Sequence, residues 1–144
     1  MRRKLVKLLG LPWQDQALLA EAALALLAVK LWLLVGGVHH CLAFFDAVRR
    51  HRGGQPVRED LARIDLAVRR ASAHLPFQFT CLRQSLAIIW LLARRGIKAE
   101  LRFGAKLNAG ALEAHAWVVA LEFQWSFDVC PEGGFVPLQN GSPG

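Results

Sequence analysis

A cysteine, a histidine and an aspartate stand at Cys81, His115 and Asp128, the second 34 residues after the first and the third 13 after the second. A thiol can attack a carbonyl, an imidazole can take and return its proton, and a carboxylate can fix the imidazole's tautomer; together they suffice for acyl transfer through a thioester. Such chemistry calls for no cofactor. A lone cysteine is ordinarily a small buried hydrophobe, but the surroundings of Cys81 argue otherwise. Thr80 precedes it as a helix-capping hydroxyl, and Leu82, Leu86, Ile89 and Ala93 recur at helical spacing after it, so the sulfur belongs to the first turn of a helix. Unpaired N–H groups and the positive end of the helix dipole favour the thiolate there. The Cys81 N–H is also a donor for a developing oxyanion. The Gln78 amide is a candidate second donor, its alternative being a surface side chain. Arg94, Arg95 and Gly96 end the helix, with cations at its negative end and a glycine for the left-handed terminal residue.

The elements that must position the base and its orienter follow directly. Residues 98–103 alternate charged and apolar side chains and predict a half-buried strand; Gly104, Asn108 and Gly110 predict a loop. Residues 113–120 and 123–129 then read as hairpin partners. A reversal at Leu121-Glu122 sets Ala120 against Phe123, Val118 against Trp125 and Ala116 against Phe127 on an apolar face. The other face carries Trp117 opposite Ser126 and His115 opposite Asp128, with Cβ atoms about 5 Å apart. Leu-Glu is poor turn chemistry for so tight a reversal. His115 has a second reading as a core histidine, yet Trp117 beside it suits the wall of a substrate cleft. Asp128 has a second reading as a turn residue before Pro131.

Three segments carry a resemblance. Residues 81–87 (Cys-Leu-Arg-Gln-Ser-Leu-Ala), 91–97 (Leu-Leu-Ala-Arg-Arg-Gly-Ile) and 114–118 (Ala-His-Ala-Trp-Val) resemble the transglutaminase-like leader peptidases of lasso-peptide biosynthesis, the microcin-processing type, over roughly residues 57–138. The resemblance implies a papain-like cysteine protease in which Cys81 attacks the bond joining leader to core peptide, His115 shuttles the proton and Asp128 orients the imidazole. Residues 125–131 are similar to the strand that carries the third catalytic residue of transglutaminases. The chain departs from the family after Val118, continuing Val119-Ala120-Leu121-Glu122 where an acidic residue and a glycine turn are usual, which makes Glu122 the alternative orienter. The resemblance further implies a precursor peptide as substrate, a leader-binding recognition protein as a separate polypeptide, and the lasso cyclase as a further candidate partner. Rival readings of the same trio are acyl transfer to an amine and a non-enzymatic adaptor for peptide or membrane.

The remaining cysteines, Cys41 and Cys130, share no metal-binding spacing with Cys81, and neighbours in His39-His40-Cys41 diverge on a helix, so no zinc site is expected. Three cysteines without a secretory cleavage site suit a cytoplasmic protein, with the inner membrane face as the alternative location. The net charge of +7 has no nucleic-acid motif behind it, and 54% hydrophobic residues exclude a disordered chain. One α+β domain is expected over residues 1–144: a helical N-terminal region to residue 56, a core over 57–138 with a central nucleophile helix on a small antiparallel sheet, and a tail over 139–144. Residues 17–38 are mostly Ala and Leu, but Glu21 and Lys30 interrupt them. They predict a buried core helix ended by Gly36-Gly37, before another from about His39 to Arg50, rather than a membrane span. The same hydrophobicity suits a membrane surface or a docked leader-binding partner. Leu61, Ile64, Val68, Ala71 and Leu75 predict a further helix, with Asp65 and Arg69 paired outside, that braces the nucleophile helix.

Overall fold

A computed structural model describes residues 2–51, 58–76, 80–123, 125–127 and 136–137. Five helices come first: α1 (Arg2–Leu9), α2 (Trp13–Val35), α3 (Val38–His51), α4 (Arg58–His74) and α5 (Cys81–Ala93). Strands β1 (Ala99–Asn108), β2 (Ala111–Ala120), β3 (Trp125–Phe127) and β4 (Val136–Pro137) follow, in the antiparallel order β3-β2-β1-β4. The fold is α+β, as the sequence predicts.

α5 is the axis of the core. Leu86, Ala87, Ile88, Leu91 and Leu92 are fully buried, and Ile89 and Ala93 nearly so, leaving only Trp90 part-exposed past the first turn. A helix apolar on every side must be enclosed, and α2, α3, α4, β1 and β2 all pack against it. Leu61, Ile64 and Val68 of α4 supply the brace that their spacing predicts. The Asp65–Arg69 pair forms at 3.0 Å on the same helix; partly exposed, it is worth only a few tenths of a kcal/mol. At its far end α5 closes in a Schellman motif. Ile97 N–H donates to Leu92 C=O and Gly96 N–H to Ala93 C=O, both at 3.0 Å, with Gly96 at φ 75°. The buried Ile97 then turns the chain into β1.

The first hairpin departs from expectation. β1 runs on through Gly104 to Asn108, pairing from Ala99↔Ala120 to Asn108↔Ala111, so no loop intervenes before the two-residue turn Ala109-Gly110. Both turn residues have positive φ, 49° and 82°. That matches the right-handed strand twist but strains an alanine, which lacks the local hydrogen bonding that lets asparagine occupy this region. Ala109→Asn is therefore expected to raise the thermal midpoint by a few degrees, corresponding to about 0.5–1 kcal/mol; an unchanged or lowered midpoint would refute the strain.

The second hairpin is corrected by two residues. Val118 pairs with Phe127, Val119 with Ser126 and Ala120 with Trp125, where the sequence suggests Trp125 opposite Val118 and Phe127 opposite Ala116, so the register that sets His115 directly opposite Asp128 does not hold. The cause lies in the connection: Leu121–Phe123 coil into a 3₁₀ turn, with Leu121 N–H donating to Lys98 C=O at 3.1 Å, in place of a reversal at Leu121-Glu122. An even offset leaves each side chain on its expected face, and Phe127 is indeed buried.

The Ala/Leu-rich helix is longer than expected and only half a core helix. Ala22, Ala25, Leu26 and Val29 are buried, whereas Leu24, Leu31 and Val35 face solvent. α1, preceding it, was not anticipated as a separate element.

Candidate active site

Cys81 is the first residue of α5, half-buried and unpaired with another sulfur. Thr80 caps the helix in extended conformation (φ −67°, ψ 161°), its hydroxyl accepting from Arg83 N–H at 3.4 Å and its carbonyl from Gln84 N–H at 3.0 Å. The long side-chain bond is a weak cap. The N–H of Cys81 has no carbonyl one turn back in the helix, so it remains a candidate oxyanion donor beside a sulfur in the positive field of a helix N-terminus.

His115 lies inside β2 and is only 4% exposed. Burying an imidazole in so apolar a strand costs free energy unless its nitrogens are bonded. Trp117, two residues on and therefore on the same face, stacks against it with ring centroids 5.8 Å apart and planes at 24°. Across the sheet His115 pairs with Gly104, whose other neighbour is Pro137. A glycine at that point sets no side chain directly opposite the imidazole, a signal that the loop assignment of Gly104 concealed.

One polar contact ties the two halves together. Ser85, fully buried one turn after Cys81, donates from Oγ to the carbonyl of Ala116 at 3.3 Å. Residues i and i+4 share a helix face, so the face of α5 that bears Cys81 is held against the strand at the residue adjoining His115. Sequence reasoning passed over Ser85; a serine opening the apolar run Ser85–Ala93 was the available clue. Ser85→Ala should cost about 1 kcal/mol of stability. It should lower turnover by more than that loss accounts for, with Ser85→Thr restoring most of it. Full turnover in Ser85→Ala would mean that the contact does not align the helix.

The structure thus brings the elements of Cys81 and His115 together. Asp128 and Gln78 lie outside the described residues. Glu122 falls in the 3₁₀ turn after β2. Cys41 contrasts with Cys81: fully buried beside Trp32, Phe44 and Trp90 in an apolar cavity of about 50 Å³, its thiol is pushed by desolvation up to about 11. At neutral pH it stays protonated and inert. The folded state thus holds this proton more tightly than the unfolded chain, and the fold loses stability as pH rises from 9.0 toward about 11. His39 and His40 are exposed while Cys41 points inward, so these three do not converge on a metal.

Comparison with known proteins bears on the same elements. The sequence profile described as the Transglutaminase-like superfamily matches residues 23–139, from within α2 to beyond β4. No curated protein and no solved structure matches the chain.

Proposed function

The chain belongs to the transglutaminase-like superfamily, and from that premise we propose that it is a cysteine peptidase that removes the leader from a ribosomally made lasso-peptide precursor. The observation that carries this reading is the packing of α5 on β2, with a thiol in the first helical turn and Ser85 bonded next to His115. A thiol peptidase needs its base within reach of the sulfur; what supports His115 in that role is its place in the strand packed on α5, next to the residue that Ser85 bonds, with its ring buried and stacked on Trp117. The precursor as substrate rests on the three matching sequence segments around Cys81, Gly96 and His115.

In the proposed reaction the Cys81 thiolate attacks the carbonyl carbon joining leader to core. The oxyanion accepts from the Cys81 N–H, with the Gln78 amide as second donor. Collapse breaks the C–N bond while the His115 imidazolium gives its proton to the leaving amine. The core departs with a free amino group, and the leader stays as a thioester. Water then attacks the thioester, His115 takes its proton, and the thiolate is expelled with the leader as a carboxylic acid. Asp128 holds the imidazole in one tautomer and supports its cation. Trp117 fixes the ring from one side and walls the cleft.

Choosing one bond in one precursor needs binding energy from leader residues remote from the reacting carbonyl. In the proposed pathway a separate leader-binding protein supplies it, holding the leader as an added strand, and the cyclase acts on the released core. The test is cleavage of the cognate precursor, followed by mass spectrometry, with and without that protein at sub-saturating substrate. The expected products are intact leader and core, at a rate raised at least about tenfold by the partner. Equal rates in both arms would remove the partner, and leader joined to an added amine in place of free leader would make the enzyme an acyl transferase.

A further inference from the structure

α2 is long and apolar enough to cross a membrane by length and composition, yet its two acids and its core side are committed to the fold. Asp15 pairs with Arg63 at 2.7 Å, and Glu21 with Arg94 at 2.9 Å and Arg95 at 3.1 Å. Ala22, Ala25, Leu26 and Val29, each at most 2% exposed, pack inward with α4 and α5 close by. Crossing a bilayer would strip that side from the core and break up the Glu21 cluster. The opposite side is different. Trp13, Ala17, Ala20, Leu24, Ala28 and Leu31 recur at intervals of three and four, and every one is exposed. Leu34 and Val35, at 75% and 93% exposure, continue the line. The result is an uncharged apolar stripe about 33 Å long, far more than the scattered leucines of an ordinary surface.

Charge decides what covers it. α1 lies immediately before the stripe and adds exposed Val6 and Leu9. Residues 1–14 hold Arg2, Arg3, Lys4 and Lys7 and no acid, and Arg3 and Lys7 are exposed. The two acids of α2 are occupied by Arg63, Arg94 and Arg95, so a second copy would bring cations and an apolar stripe but no matching anions on this face. An anionic lipid surface complements both features: headgroup phosphates meet the cations, and the apolar side chains sink to the acyl boundary. Trp13, between α1 and the stripe, suits the headgroup level. We propose that α1 and the outer face of α2 form a peripheral binding surface for anionic bilayers, with the helix lying along the membrane and not across it. This inference rests on the helices alone and is independent of the reaction at Cys81.

The test is flotation of the full chain with vesicles of phosphatidylcholine, alone or with about one part in three phosphatidylglycerol. The chain is expected to float with the anionic vesicles, at least about tenfold better than with neutral ones, and to be released by high salt. Leu24→Gln with Leu31→Gln should lower partition about tenfold or more. Arg3→Glu with Lys7→Glu should remove the anionic preference, roughly fivefold per cation lost. Leu107→Gln with Leu112→Gln alters equally exposed leucines at the hairpin tip and should change nothing, and thermal unfolding should be the same for every variant. The proposal is overturned if the parent stays with the vesicle-free fraction, or if the Leu24 and Leu31 changes leave flotation intact. It is equally overturned if those changes instead dissolve a dimer or abolish capture of the leader-binding protein without lipid present.

Discussion

Cys81→Ala is expected to leave a folded protein that no longer cleaves the proposed precursor. The thiol is the only group in the proposed reaction that forms a covalent bond to substrate, so its removal ends thioester chemistry and turnover falls at least about 10⁴-fold. Stability should move by less than about 1 kcal/mol, because Cys81 is half-buried in a first helical turn where alanine is well tolerated. His115→Ala is expected to be as inactive for a different reason: the sulfur remains, but nothing returns a proton to the leaving amine. Its thermal midpoint drops further, since the side chain is 4% exposed and stacked on Trp117. Cleavage and melting measured on both variants separate chemistry from folding. Purified Cys81→Ala that retained even about a tenth of the parental rate would refute a thiol mechanism.

Asp128→Asn should cost about 10³–10⁴ in turnover with little change in KM or melting temperature, because an amide keeps the shape of the carboxylate and loses the charge that stabilises imidazolium. Glu122→Gln is the paired control. Glu122 lies in the 3₁₀ turn after β2, a turn that the tight reversal inferred from sequence did not contain. Kinetics of the two amides should show one crippled enzyme and one near the parent. If Glu122→Gln is the crippled one and Asp128→Asn is active, the orienter is Glu122 and the family departure after Val118 has moved the third residue.

Much of the site was legible because its signals are local. Thr80 before Cys81, the apolar repeat behind it and Arg94-Arg95-Gly96 at the end define a helix with a thiol at its positive pole, and each recurs in α5. The heptad-like spacing of α4 and its Asp65–Arg69 pair were equally readable. What failed depended on backbone geometry that side-chain types do not encode. Gly104 reads as a loop residue but sits within β1 opposite His115, since pairing on both sides holds a glycine in extended conformation. The 121–123 turn shifted the second hairpin by two residues, which alternation cannot detect because an even slip preserves every face. α2 misled in another way: its mean composition resembles a core helix, and only packing shows that Leu24 and Leu31 face outward while Glu21 faces Arg94 and Arg95 just past the end of α5. Ser85 was overlooked because its partner, the Ala116 carbonyl, is 31 residues distant.

The most direct test is the covalent intermediate itself. The protein, the proposed leader-binding partner and the proposed precursor are mixed, quenched in acid within one turnover and weighed intact. The expected species is the chain plus the leader less one water, carried on the Cys81 peptide, discharged by hydroxylamine and absent from Cys81→Ala. Full conversion of precursor to leader and core with no such adduct at any time, or an adduct on a residue other than Cys81, would contradict the assignment.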